Sequence, residues 1–176
     1  MKKFLPLVLI LISSIFIFSC KDDDDDVVVD YPTVYDVNLN LIKDPSSNSL
    51  YHYTVQFNRS LLNQDIVLVY RKNNPSANSP IWEPLPTTYY FSGGNSMDYI
   101  FDFTTADVQL TLDASFDLTV QDGLFNNTYL NGQTFRIVLV PAVFGGKNSN
   151  TSDLSKMSYE EVIAKYNIDD SKIGKL

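Results

Sequence analysis

The chain holds one cysteine and one histidine in 176 residues, and these two scarcities remove most site chemistry at the outset. An internal disulfide needs a second thiol, so packing alone must hold the folded part. A zinc centre draws several ligands from cysteine, histidine and carboxylate, and a nucleophilic site needs a base beside the nucleophile. His52 has no second imidazole or cysteine to join it and reads as an exposed structural residue on the polar side of a strand. Gly-x-Ser-x-Gly, His-Glu-x-x-His and a glycine-rich phosphate loop are all missing, so hydrolase and nucleotide chemistry lose their usual support. No catalytic residue, metal or cofactor is expected, and the protein reads as a non-enzyme.

Positive charge is also scarce. The 13 lysines and arginines face 21 aspartates and glutamates, for a net charge of −8. Nucleic acid and anionic lipid headgroups need a basic face, so neither is an expected partner. A membrane-spanning run is missing too. The longest apolar stretch, Phe4 to Phe18, is broken by Pro6, Ser13 and Ser14 and falls short of the roughly 20 residues that a crossing takes.

Met1-Lys2-Lys3 followed by that apolar stretch has the basic and hydrophobic regions of a secretory signal. Residues 1–19 are accordingly expected to be a signal peptide that is removed. At its end, Ile17-Phe18-Ser19-Cys20 resembles a bacterial lipobox, in which a small residue precedes a cysteine that receives lipid and becomes the mature N-terminus. The alternative is an ordinary leader with an incidental cysteine. The lipobox resemblance implies a thioether-linked diacylglycerol on Cys20, usually with a further N-acyl chain, and each buried methylene adds about 0.8 kcal/mol of anchoring.

Lys21 and the run Asp22, Asp23, Asp24, Asp25 and Asp26 resemble the export signal of surface lipoproteins in Bacteroidota. The resemblance implies an exported protein held in the outer membrane by its N-terminal lipid and facing the cell exterior. Adjacent like charges repel and keep a segment extended and solvated, so residues 20–31 also form a tether. A metal-binding role for the run is weaker, because a selective calcium site needs oxygens converging from a fixed loop. Loss of Lys2 and Lys3 leaves 11 basic residues against all 21 acids, a net charge of −10. About half of that excess lies in the tether, and the body is only mildly acidic.

Residues 32–176 suit one domain with a single core. Eleven tyrosines and 11 phenylalanines, with few alanines, favour sheet over helix. Tyr35 to Leu41 and Tyr51 to Phe57 alternate apolar and polar residues on either side of Asp-Pro-Ser-Ser-Asn-Ser and read as a hairpin. Asp65 to Arg71 is a short continuous apolar run, expected for a strand buried on both faces or sitting centrally in a sheet. Ile81 to Pro86 reads as an edge strand because its prolines cannot pair fully. Thr88 to Phe91 and Tyr99 to Phe103 flank Ser92-Gly93-Gly94-Asn95-Ser96 as a second hairpin.

Val108 to Leu112 and Phe116 to Val120 alternate as two more strands. Gln121-Asp122-Gly123, Asn126-Asn127 and Asn131-Gly132 read as turns, and Gln133 to Val140 as the last strand. Near the end, Ser158-Tyr159-Glu160-Glu161 fits a capping box with Met157 and Val162 at the staple positions, predicting a helix over about 156–167. The expected fold is therefore mainly β: an antiparallel, immunoglobulin-like β-sandwich of eight or nine strands with one short C-terminal α-helix. A small barrel is the alternative.

Asp65 to Arg71, Ile81-Trp82-Glu83-Pro84-Leu85-Pro86, Tyr99 to Phe103 and Phe135 to Pro141 together resemble a set of exported proteins of Bacteroidota with the same strand, loop and Trp-Glu-Pro-Leu-Pro order. That resemblance implies fold and location and brings no activity.

Two groups of residues remain as candidates. Asp98, Asp102, Asp107, Asp113, Asp117 and Asp122 offer carboxylates for a pair or a calcium site, but they sit mostly at strand ends and turns, without an Asp-x-Asp-x-Asp-Gly loop. Trp82, Tyr89 and Tyr90 cluster near prolines and suit an aromatic platform for a sugar or peptide, although aromatics are also ordinary filling for a sandwich. The leading expectation is a surface lipoprotein for binding, adhesion or envelope assembly. The alternative is a carbohydrate-binding accessory of a glycan-uptake system, which requires exposed aromatics in a row.

Overall fold

The computed structural model describes residues 32–73, 80–145, 154 and 156–174. The expected signal peptide, Cys20, Lys21 and the aspartates of the expected tether lie outside the described residues.

The described chain is mainly β. Its strands are β1 (Thr33–Leu39), β2 (Ile42–Lys43), β3 (Leu50–Gln56), β4 (Ile66–Asn73), β5 (Ile81–Pro84), β6 (Thr87–Tyr90), β7 (Ser96–Phe103), β8 (Asp107–Ala114), β9 (Gln133–Val140) and β10 (Ile173–Gly174). They form two five-stranded sheets, ordered β10-β1-β9-β4-β5 and β2-β3-β8-β7-β6. All pairings are antiparallel except that of β10 with β1. Ten strands replace the expected eight or nine, and the excess consists of the two-residue stubs β2 and β10, too short to leave a periodic signature.

Apolar residues of the first sheet divide between its two faces. Val67, Val69, Phe135, Ile137 and Leu139 join Val55, Met97, Tyr99, Val108, Leu110 and Leu112 of the second sheet in one core. Leu68, Tyr70, Val138 and Val140 point the other way and form a second cluster with Val34, Trp82, Leu154 and Val162. Strand β4 is buried on both faces, which is why its sequence is a continuous apolar run.

The second cluster is covered by a C-terminal helix, α2 (Tyr159–Tyr166). Its capping box forms as the sequence predicts: Ser158 Oγ accepts from the Glu161 amide at 3.2 Å, and Glu161 Oε2 accepts from the Ser158 amide at 2.8 Å. Asn167 ends it in the left-handed region at φ 50°, a conformation asparagine tolerates. Met157 packs beneath it. Tyr159, Val162 and Tyr166 are its buried face.

Several expectations are corrected. Strands β1 and β3 are not a hairpin; they lie in different sheets, and β1 pairs with β9 along its whole length. Alternation reports which side chains share a face, not which strand supplies the hydrogen bonds. Phe116 to Val120 is not a strand. Asp117 Oδ1 accepts from the Thr119 amide at 2.8 Å and its hydroxyl at 2.6 Å, an Asx turn that diverts the backbone.

Gln121-Asp122-Gly123 and Asn126-Asn127 are not turns but the cap and body of a helix, α1 (Gly123–Tyr129), whose N-cap Asp122 accepts from the Phe125 amide at 2.7 Å. Turn formers and cap residues are the same residue types, because both use a short side-chain oxygen to satisfy backbone donors. A further helical turn spans Ala142–Gly145, so α2 is not the only helix.

The prolines act as expected. Strand β5 ends at Pro84 on the outer edge of the first sheet, and the chain crosses through Leu85 and Pro86 into β6, at the edge of the second.

Candidate functional site

The three aromatic candidates are not brought together. Trp82 is 9% exposed and lies on the outer face of the first sheet, under α2, with its ring against Tyr159. Tyr89 is half-buried and points into the core between the sheets. Only Tyr90 is exposed, at 83%. Successive strand residues point to opposite faces, so Tyr89 and Tyr90 cannot share a platform.

The aspartates are mostly engaged in local structure. Asp98 Oδ1 accepts from Thr88 Oγ1 at 2.5 Å, Asp107 Oδ1 from Thr104 Oγ1 at 2.7 Å, and Asp122 caps α1. The register sets Asp98 opposite Asp113, yet among the described residues no three metal-ligating side chains converge. His52 is half-buried, its Nδ1 4.0 Å from Asp44 Oδ2.

Two buried arginines organise the polar interior, and neither was a sequence candidate. Arg71, 4% exposed, closes β4 beneath α1. Its Nη2 donates to the Thr128 carbonyl at 2.8 Å and to Gln133 Oε1 at 2.7 Å, and its Nε donates to the same oxygen at 3.1 Å. Nη1 donates to Tyr89 Oη at 2.9 Å, and Tyr89 in turn donates to Glu83 Oε2. Glu83 Oε1 accepts from Asn73 Nδ2 at 2.6 Å. The guanidinium carbon also lies 4.7 Å from the Tyr99 ring centre. One cation therefore ties the Thr128 carbonyl, in the last turn of a helix with no buried side chain of its own, to both sheets.

Arg136 does the same on the outer face. Its Nε and Nη2 each reach an Asp36 carboxylate oxygen at 2.7 Å, a bidentate pair, while its carbon sits 4.1 Å from the Trp82 ring centre and 4.8 Å from that of Tyr159. Burial works against its charge, but hydrogen bonding and charge from Asp36 outweigh it and hold the guanidinium above its ordinary value. The only sequence signal for either residue is an arginine set in an apolar strand. Such a charge is stable only when paired.

Burial pushes the Tyr89 hydroxyl up to about 12, with the Glu83 hydrogen bond adding to it, and burial likewise pushes Tyr159 up to about 12. The unfolded chain loses these protons near 10, so between about 10 and 12 the folded state binds more protons and stability falls as pH rises. Stability is expected to be intact below pH 10 and lost progressively above it. The phenolate absorbance that Tyr89→Phe and Tyr159→Phe remove is expected to rise together with loss of the β circular dichroism signal; ionisation of Tyr89 and Tyr159 near 10 with the fold intact would refute this.

An opening lies elsewhere among the described residues. A cleft of about 650 Å³ is lined by Asp36, Val37, Asn38 and Leu39 of β1 and by Tyr53, Thr54, Val55 and Gln56 of β3. Strand β10 pairs only with Val34 and Tyr35, and β2 only with Tyr51 and His52. Among the described residues, the flanking stretches of β1 and β3 thus have a strand on one side only. Leu39 and Val55 are buried at the floor, and Val37 and Tyr53 are half-buried around it. The cleft offers apolar surface and strand edges that lack a paired neighbour among the described residues, and its one carboxylate, Asp36, is paired with Arg136. Comparison with protein-family models, with curated proteins and with solved structures gives no match.

Proposed function

We propose that the chain is a non-enzymatic, lipid-anchored surface lipoprotein whose domain binds a protein partner, in adhesion or envelope assembly. The observation that carries the binding role is the cleft of about 650 Å³ between β1 and β3, apolar at its floor and bordered by strand edges that have no paired neighbour among the described residues. Arg71, Gln133, Tyr89 and Glu83 are engaged with one another, and Arg71 with the Thr128 carbonyl of α1. The immunoglobulin-like description is kept as an architectural likeness, two facing and largely antiparallel sheets over one core.

Anchoring rests on Cys20 and export on Lys21 and Asp22 to Asp26. Cys20→Ala is expected to move the protein from the membrane fraction to the soluble fraction. Replacing Asp22 to Asp26 with alanine is expected to leave it anchored but protected from protease added to whole cells. Continued membrane association of the first variant, or continued surface digestion of the second, removes the corresponding part of the proposal.

A second reading, a carbohydrate-binding accessory of a glycan-uptake system, is favoured by one feature. A hollow of about 410 Å³ beside Trp82 and Tyr159 is also lined by Arg136, Glu160 and Asp170. Its aromatic rings are occupied by Arg136 rather than presented in a row, so it ranks second, and Trp82 fluorescence under glycan titration reads it directly.

A further inference from the structure

We propose that the cleft is a strand acceptor: an extended segment of a partner protein, apolar at alternate positions, lies in it and hydrogen-bonds to the free edge of β1 or β3. The inference rests on the reading of the cleft as a protein-binding site and names the kind of partner.

Three observations carry it. The first is backbone geometry. Asp36–Leu39 and Tyr53–Gln56 each present about 13 Å of strand edge, at about 3.3 Å per residue, with a paired strand, among the described residues, on the far side only. Unpaired donors and acceptors at a sheet edge are a template for one more strand.

The second is where the polar side chains go. Asp36 is taken by Arg136 on β9, and Asn38 Nδ2 donates to Thr134 Oγ1 and to the Gly132 carbonyl, both at 3.0 Å. Thr54 Oγ1 donates to Gln109 Oε1 at 3.5 Å, and Gln56 Nε2 to Asp107 Oδ2 at 3.3 Å, both on β8. All four side chains turn back into their own sheet. Neither stretch carries a lysine, a proline or an inward charge, the devices by which edges are usually blunted. The opposite edge differs: there the chain passes from β5 to β6 through Pro84 and Pro86.

The third is the apolar floor. Leu39 and Val55 are buried, and Val37 and Tyr53 are half-buried, all four belonging to the core between the sheets. Side chains at alternate positions of an incoming strand would meet that surface while the intervening ones face solvent. Backbone pairing supplies affinity and the alternate apolar contacts supply selectivity.

The test uses full-length protein in detergent micelles and three synthetic heptapeptides: one alternating valine and threonine, one of the same composition with its valines grouped, and one alternating with a central proline. Backbone amide hydrogen exchange is followed by mass spectrometry. The alternating peptide is expected to slow exchange within 36–39 or 53–56 about tenfold at roughly ten times its Kd. The other two are expected to leave it unchanged, and Val37→Lys, which sets an ammonium in the cleft, to abolish the slowing. Should that variant fail to fold, the three-peptide comparison on the unaltered protein decides alone.

No slowing at millimolar peptide, or equal slowing by all three, overturns the proposal. Slowing that appears only after Lys175 and Leu176 are deleted also overturns it, assigning the cleft to the chain itself. A natural partner whose binding Val37→Lys abolishes, without any amide protection, would sink strand addition and leave the protein-binding reading standing. A partner whose binding folded Val37→Lys leaves intact would sink both.

Discussion

Arg71→Ala is expected to lower the stability of the domain by about 3–5 kcal/mol, the range for removing one member of a buried charge network. The side chain is almost fully buried, and its loss strands several partners at once: the Thr128 carbonyl, Gln133 Oε1 and the Tyr89–Glu83 pair. Glu83 keeps about a quarter of its side-chain surface in water, so water recovers part of its solvation and the lower half of the range is the better expectation. With a urea slope of about 1–3 kcal/mol per molar, a loss of that size is read directly from the unfolding midpoint.

Arg71→Lys is expected to recover less than half of the loss. An ammonium keeps the charge but cannot reach Thr128, Gln133 and Tyr89 through one planar fork. A midpoint shift equivalent to less than about 1 kcal/mol for Arg71→Ala would show that the network contributes no more than an ordinary surface pair.

Val162→Asp is expected to undock α2 without dissolving the core between the sheets. Val162 is fully buried in the cluster on the outer face of the first sheet. Arg136, the cation packed against Trp82 and Tyr159 of that cluster, is already paired with Asp36, and burying a further carboxylate costs several kcal/mol. An eight-residue helix gains little from propensity alone and depends on that docking.

The two clusters are separated by the sheet itself, so the loss is expected to stay on one side. Trp82 and Tyr159 would become exposed, and Trp82, the only tryptophan, would report it as a red shift in emission. Amides of β7 and β8, which belong to the other core, are expected to retain slow exchange. Simultaneous loss of protection in β7 and β8 would show one cooperative unit instead. An unshifted Trp82 emission would show that α2 tolerates the charge.

Much of the secondary structure was legible because its signals are local. The apolar run of β4, the alternation in β1, β3, β8 and β9, the Gly93-Gly94 hairpin and the Ser158–Glu161 capping box each depend on a few neighbouring residues. The strand read at Phe116 to Val120 failed because three apolar residues at even spacing also suit a turn that drops Phe116 among Phe91 and Phe125. Helix α1 was hidden because Asp122 and Gly123 serve a cap as readily as a turn. The aromatic candidates failed for a related reason: proximity of Trp82, Tyr89 and Tyr90 in the chain does not survive a crossing from one sheet to the other between β5 and β6.

By itself the sequence determined the scarcity of site chemistry, the mainly β character, the double-sided burial of β4 and the capped C-terminal helix, all set by composition or by periods of a few residues. Only the tertiary structure decided that β1 pairs with β9 rather than β3, that Arg71 and Arg136 have partners drawn from across the chain, and that β1 and β3 border a cleft along edges with no paired strand among the described residues. Those features are relations between residues as far apart along the chain as Thr33 and Leu139. A strand's pattern says which side chains face inward, while its hydrogen-bonding edges run perpendicular to that direction and leave no trace in the alternation.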